Sequence, residues 1–144
     1  SKLAALNDPA TGRPVVAAAT AAGDIVVRTM VEGMRYELPV YTVTAGKTVK
    51  VTFMNNDYTP HNLVIGMPGS RDEIGLAADQ LGSRGFAEKF IPKSDKILAF
   101  SDLLNYQKTQ VLEFRAPATP GDYELLCTFP GHRQSMHAVL RVVK

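Results

Sequence analysis

The sequence holds no tryptophan and a single cysteine, Cys127. One thiol permits no internal disulfide and no cage of two or four cysteines around zinc or an iron–sulfur cluster. It equally excludes the binuclear copper centre of terminal oxidases, which needs two bridging thiolates. Histidine is scarce, with only His61, His132 and His137. Neither sign of charge prevails: the net value of +2 is too small to point to nucleic acid or to an anionic membrane surface. No window approaches the roughly 18 continuous apolar residues that a membrane helix needs.

What is present is ordinary for one globular domain. The 144 residues are 45% hydrophobic and 21% charged, long enough to bury a core. Residues 1–22 differ from the rest, being rich in alanine with Pro9, Gly12 and Pro14 and without a clean period. They read as an N-terminal arm or a linker from a longer parent chain, ahead of a domain over 23–144. The chain opens at Ser1 without a methionine or a charged-then-apolar leader, the form of a mature or trimmed product, so export is expected.

From Gly23 onward the pattern is β. Strands are predicted over 24–31, 35–44, 47–54, 61–66, 96–101, 109–115, 121–128 and 136–143. In 47–54, Val49, Val51 and Phe53 alternate with Lys50 and Thr52, the period of a half-buried strand. Ala45-Gly46, Asn55-Asn56-Asp57 and Pro120-Gly121-Asp122 punctuate the runs. Many short strands so divided predict a sandwich or barrel. One stretch breaks the pattern. Ser70 followed by Glu73 is a capping-box signature, and Ile74, Ala77, Ala78 and Leu81 follow at helical spacing before Gly82. A short inserted α-helix is predicted there, with 82–95 as a connecting loop.

Chemistry concentrates in residues 127–136. Cys127, His132 and Met136 stand in a Cys-x₄-His-x₃-Met arrangement, and His61 opens an apolar run far upstream. One thiolate, two imidazoles and a thioether are the donor set of a blue-copper electron-transfer site, a His₂Cys plane with a weak axial Met. Tyr123, Leu125 and Cys127 share one strand face, so the thiol points inward at the strand end. The Pro130-Gly131 turn then brings His132 back. A lone cysteine is usually inert core and a lone histidine usually surface, but the joint spacing outweighs both. Met30, Met34, Met54 and Met67 read as packing. His137 adjoins Met136, and alternation puts the two on opposite faces, which favours Met136 as the ligand. Around the sulfur, the amides of Phe129 and Asn62 are candidate hydrogen-bond donors, and the Asn62 side chain is placed to tie the two ligand loops. The Pro60 carbonyl is a candidate distant contact to the metal. A cysteine and two histidines suit zinc as well.

The run Cys127-Thr128-Phe129-Pro130-Gly131-His132…Met136, with the upstream His61-Asn62 pair and a helical flap between, resembles the azurins and the closely similar auracyanins over about residues 24–144. The resemblance implies an eight-stranded Greek-key β-sandwich, the cupredoxin fold, carrying one type 1 copper. It implies His61, Cys127 and His132 as equatorial ligands and Met136 as the axial one, in a periplasmic or otherwise extracytoplasmic one-electron carrier. Three departures stand out. Azurins have glycine where Pro60 stands, they carry a disulfide that this chain cannot form, and they have a small or aromatic residue at the position of Arg133.

The function read from these residues is electron shuttling between redox proteins, such as a cytochrome or a membrane electron-transfer complex, by a domain that is itself a monomer. Tyr58, Pro60, Met67, Pro68, Pro130 and Met136 are candidates for an apolar docking patch around His132, with Arg133 adding a positive rim charge for an acidic partner. The first alternative is an electron-transfer module of a larger multidomain or membrane-anchored redox protein, tethered through the N-terminal side. Such a module would not hold a second copper by itself: Thr128, not histidine, follows the cysteine, and there is no His-x-His pair. The second alternative is a thiol enzyme using Cys127 and a histidine, which would need an exposed, activated thiolate.

Overall fold

Alternation along the chain builds both sheets. In the computed structural model, which describes residues 23–144, the stretch Thr48–Met54 buries Val49, Val51 and Phe53 and leaves Lys50 exposed. The expected arm over 1–22 lies outside the described residues. Among the described residues the strands are β1 (Ile25–Arg28), β2 (Val40–Thr44), β3 (Thr48–Met54), β4 (Val64–Gly66), β5 (Ile97–Phe100), β6 (Thr109–Arg115), β7 (Gly121–Leu126) and β8 (His137–Val143), with one α-helix, α1 (Arg71–Asp79), between β4 and β5. They form an eight-stranded Greek-key β-sandwich. One sheet has the order β1-β3-β6 and the other β2-β8-β7-β4-β5. β1 runs parallel to β3, with Ile25 opposite Val51 and Arg28 opposite Met54, and β2 runs parallel to β8. The remaining pairings are antiparallel.

The core fills the space between the sheets. Val27, Val51 and Phe53 from the first meet Tyr41, Val43, Leu125, Leu140 and Val142 from the second, and Cys127 and Met136 belong to the same cluster. Each such apolar side chain contributes about 1.5–3 kcal/mol on burial. The second sheet also hides part of its outer face. Val64 and Leu126 pack there against Ile74 of α1, so all three residues of β4 are buried. α1 is therefore a lid on the strands that lead into and out of the histidine and cysteine segments.

All eight predicted strands form, several of them shorter than expected, for identifiable reasons. Before β2, Leu38 N–H donates to the Tyr41 hydroxyl at 3.0 Å and Pro39 has no N–H to give; only an isolated bridge, Thr29 to Tyr36, survives there. At the start of 61–66, Leu63 N–H is taken by Ser101 Oγ at 2.9 Å, so the ladder begins at Val64. β7 stops at Leu126, and two residues on Thr128 N–H donates to Asn62 Oδ1 at 2.8 Å. The helix is present but ends at Asp79, and the capping box does not form. Ser70 Oγ donates to the Met67 carbonyl at 2.6 Å and makes no side-chain cap. The predicted loop over 82–95 contains a short 3-10 turn, Gly82–Arg84. No helix among the described residues is long and apolar enough to cross a membrane.

Candidate metal centre

The loop after β7 is closed by its own backbone. Cys127 N–H donates to the Met136 carbonyl at 3.1 Å, Met136 N–H to the His132 carbonyl at 2.8 Å, and His132 N–H to the Phe129 carbonyl at 3.0 Å. Gly131 sits at φ +82°, a conformation that glycine adopts without a Cβ penalty. These bonds fold His132 back over Cys127. His61 arrives from the other side, fixed by a reciprocal pair with Leu104 (3.1 and 2.9 Å).

Three donor atoms converge. Cys127 Sγ lies 3.8 Å from His61 Nδ1 and 3.6 Å from His132 Nδ1, and the two Nδ1 atoms are 3.2 Å apart. Three donors spread at 120° around one ion, at about 2.05 Å for imidazole nitrogen and about 2.3 Å for thiolate sulfur, stand about 3.8 Å apart for S–N and about 3.5 Å for N–N. The triangle is therefore already close to the dimensions that a single trigonally bound ion needs. Cys127 and His61 are wholly buried, and His132 is 6% exposed.

The electrostatics fit a cation. Burial pushes the Cys127 thiol up to about 12, against the pull of hydrogen bonds from the Asn62 and Phe129 amides. Burial, and then the neighbouring His61 ring, bring His132 down to about 4, with Asp57 acting the other way. Burial also lowers His61, opposed by its hydrogen bond to Asp57. Both rings are thus neutral at neutral pH and offer lone pairs. A bound cation supplies the charge that lets the thiol ionise. Soft thiolate with imidazole suits copper through both of its oxidation states.

Met136 is wholly buried in the core cluster with Cys127, whereas His137, its neighbour, is exposed. Met136 has no surface to offer a docking patch, which corrects that part of the sequence reading. Pro60 is half-buried.

Asn62 ties the two ligand segments together. Its Oδ1 accepts from Thr128 N–H at 2.8 Å, and its Nδ2 donates to Thr128 Oγ1 at 2.8 Å and to the Lys89 carbonyl at 3.0 Å. Thr128 Oγ1 donates in turn to the Phe90 carbonyl at 2.6 Å. Lys89 and Phe90 both have positive φ, 59° and 55°, a left-handed conformation that is costly for such residues. The hydrogen bonds to their carbonyls hold that turn against the metal loop.

The turn delivers an aromatic cluster. Phe129 stacks on His132 with ring centroids 4.6 Å apart and planes 31° apart. Phe90 and Phe86 flank Phe129 at 5.0 and 5.9 Å, and Phe86 is 67% exposed. Of the residues predicted to dock a partner, Tyr58, Met67, Pro68 and Pro130 are exposed. Met67 and Pro68 follow Gly66, which pairs with Glu124, three residues down the strand from Cys127 and so roughly 10 Å away along it. Arg133 turns inward. Its Nη1 is 2.9 Å from Asp79 Oδ2 and its Nε 3.6 Å from Asp72 Oδ1, with a side chain only 15% exposed. The expected positive charge of Arg133 at the rim is instead paired with the carboxylates of Asp79 and Asp72. It is possible because Gly75 leaves room: a Cβ there would meet Arg133 Cδ at 2.0 Å.

Two features escaped the sequence reading. Phe86 and Phe90 fall in the stretch predicted as a connecting loop, where their i, i+4 spacing is the available sign. Asp57, read only as turn punctuation, places Oδ2 2.7 Å from His61 Nε2; its spacing of four residues from a candidate ligand was the sign there.

Residues 24–143 match the family of copper binding proteins described as the plastocyanin/azurin family. The chain is 36% identical to auracyanin-A of Chloroflexus aurantiacus over 114 residues, covering 77% of this chain and 68% of that protein. It is 29% identical to auracyanin-B of the same organism over 117 residues, covering 78% of this chain and 48% of that one. The chain thus spans about two thirds of one relative and about half of the other. Among solved structures, a dithionite-reduced auracyanin from Roseiflexus castenholzii superposes with a TM-score of 0.78 at 30% identity, over 87% of this chain and all of that one.

Proposed function

The chain belongs to the plastocyanin/azurin family of copper-binding proteins, and on that premise we propose that His61 Nδ1, Cys127 Sγ and His132 Nδ1 hold its metal, with Met136 as a weak fourth ligand. The protein transfers electrons through a mononuclear type 1 copper centre. The observation that carries the ligand assignment is the donor triangle, whose sides of 3.2, 3.6 and 3.8 Å suit one ion. When bound, copper supplies a one-electron couple that no side chain here provides.

The protein's own residues do the rest. The closed loop and the Asn62–Thr128 bonds hold the donors in place, so little must move when the charge changes. The amides of Asn62 and Phe129 direct N–H groups at the sulfur, and such bonds tune the potential. The core excludes water from His61 and Cys127. We place the exchange face at the His132 edge, with Phe129, Phe86 and Pro130 around it, an apolar surface suited to brief docking with a redox protein over a small area. The same reading makes residues 23–144 the electron-transfer domain, extracytoplasmic, and joined through 1–22 to a tether or a larger parent. A thiol enzyme is disfavoured, because a buried thiol pushed up to about 12 is the reverse of an activated nucleophile.

The test is titration with Cu(II). One equivalent should give an intense blue colour from sulfur-to-copper charge transfer, lost in Cys127→Ser and shifted in Met136→Leu. A protein that stays colourless while its thiol reacts freely with disulfide reagents would overturn the assignment.

A further inference from the structure

Asp57 is buried beside the metal centre without belonging to it. Its side chain is 4% exposed and that of His61 0%, and Asp57 Oδ2 lies 2.7 Å from His61 Nε2. The other carboxylate oxygen, Oδ1, accepts from the amides of Tyr58 at 2.8 Å and Glu32 at 3.1 Å. Two backbone amides thus donate to one oxygen of this carboxylate, and the imidazole of His61 faces the other.

The group is also held from behind. Asp57 N–H donates to Asn55 Oδ1 at 3.0 Å, which also accepts from Thr29 Oγ1 at 3.0 Å. Asn55 Nδ2 donates to the carbonyls of Thr59 at 3.0 Å and Leu104 at 2.8 Å. Leu104 is the residue whose backbone pairs with His61. The network thus locates the carboxylate and the imidazole on one frame.

The two histidines are consequently unlike. His132 lies against Phe129 and reaches the surface. His61 is sealed, and its outer nitrogen faces a carboxylate. A histidine that donates an Nε2–H hydrogen bond to a carboxylate keeps its lone pair on Nδ1, the atom facing Cys127 and His132, and becomes a stronger metal ligand. A fixed negative charge in a poorly screened interior favours the more positive metal.

We propose that Asp57 is a positioning residue of the copper centre: it fixes His61 in the Nε2–H tautomer, with Nδ1 toward the metal, and lowers the reduction potential by stabilising the oxidised ion. This rests on His61 being a ligand, as in the preceding section.

The experiment uses the copper-loaded protein and Asp57→Asn, with protein-film voltammetry and visible spectra. Asp57→Asn should remain blue and move the Cu(II)/Cu(I) equilibrium about tenfold toward Cu(I), which is about 59 mV upward for a one-electron couple; Asp57→Glu, which keeps the charge, should recover part of it. A blue, folded Asp57→Asn protein with an unmoved potential overturns the proposal, because a merely structural role would alter melting and not potential. Should Asp57→Asn fail to fold, ¹⁵N NMR of the metal-free wild type decides. A His61 Nε2–H proton slow to exchange, with bare Nδ1, upholds the proposal, and a proton on Nδ1 overturns it. A wild type that never turns blue defeats the copper reading itself and with it the potential shift, so the two failures are told apart on one sample.

Discussion

Arg133 Nη1 stands 2.9 Å from Asp79 Oδ2, and through that contact the loop carrying Cys127, His132 and Met136 is fastened to α1. The stem of Arg133 crosses the helix at Gly75, where a Cβ would meet Arg133 Cδ at 2.0 Å.

Gly75→Ala should therefore destabilise the protein by up to about 2 kcal/mol. Overpacking costs about 1–3 kcal/mol, offset in part by the better helix propensity of alanine, about 1 kcal/mol. In an Arg133→Ala background the clash is gone, and the same substitution should be neutral or stabilising. Urea melts of the four proteins of this cycle measure the coupling. Additive effects would show that Arg133 does not lie on Gly75.

Acid should weaken the metal-free protein over a defined window. His132 is brought from its ordinary 6.5 down to about 4 by burial, and His61 is lowered in the same direction. A depressed histidine gives stability that is full above about pH 6.5 and is lost as pH falls through about 4. The thiol acts at the other end. Raised to about 12, it gives stability that is full below its ordinary 9 and lost as pH rises through about 12. Melting temperatures of the metal-free protein from pH 8 to pH 4 should fall, and His132→Gln should flatten the curve.

Asn62→Ala should cost about 1–3 kcal/mol, because it strands the Thr128 N–H in a buried place, while the partly buried Lys89 carbonyl adds less. The metal loop should loosen with it, giving faster copper loss to a chelator than in wild type. Stopped-flow chelation and thermal melts check both parts. Unchanged copper release would show that Asn62 does not hold the loop.

Phe86 tests the exchange face. Exposed at the edge of the Phe90–Phe129 cluster, it carries little of the fold, so Phe86→Asp should leave melting temperature and visible spectrum nearly unchanged. Electron self-exchange between copies should slow several-fold, because a charge replaces apolar contact at the docking surface. NMR line broadening in mixtures of oxidised and reduced protein reads the rate. An unaltered rate would move the exchange face elsewhere.

What was legible in the sequence was what local chemistry dictates. Val49, Val51 and Phe53 declare β3 by alternation, and the spacing of Cys127, His132 and Met136 marks candidate donors on one loop, of which Cys127 Sγ and His132 Nδ1 stand 3.6 Å apart. His61 was legible as the head of a His-Asn pair that opens an apolar run. The rest depends on contacts between segments distant in sequence. Asp57 gains meaning from the fold that buries it under His61, and Phe86 from a left-handed turn at Lys89 and Phe90 that no composition rule announces. Ser70 shows the converse. A correct local signature marked a real helix start, yet the hydroxyl took the nearer carbonyl of Met67 instead.

The parallel pairing of β1 with β3 has a consequence for how the molecule can be moored. β3 runs toward Asn55, Asp57 and His61, so the chain enters β1 at the pole opposite the metal, and β8, starting at His137 beside the metal loop, leaves toward that same opposite pole. An attachment made on the polypeptide ahead of β1 or behind β8 would fasten the domain by its blunt end and leave the copper end facing outward, free to swing between a donor and an acceptor.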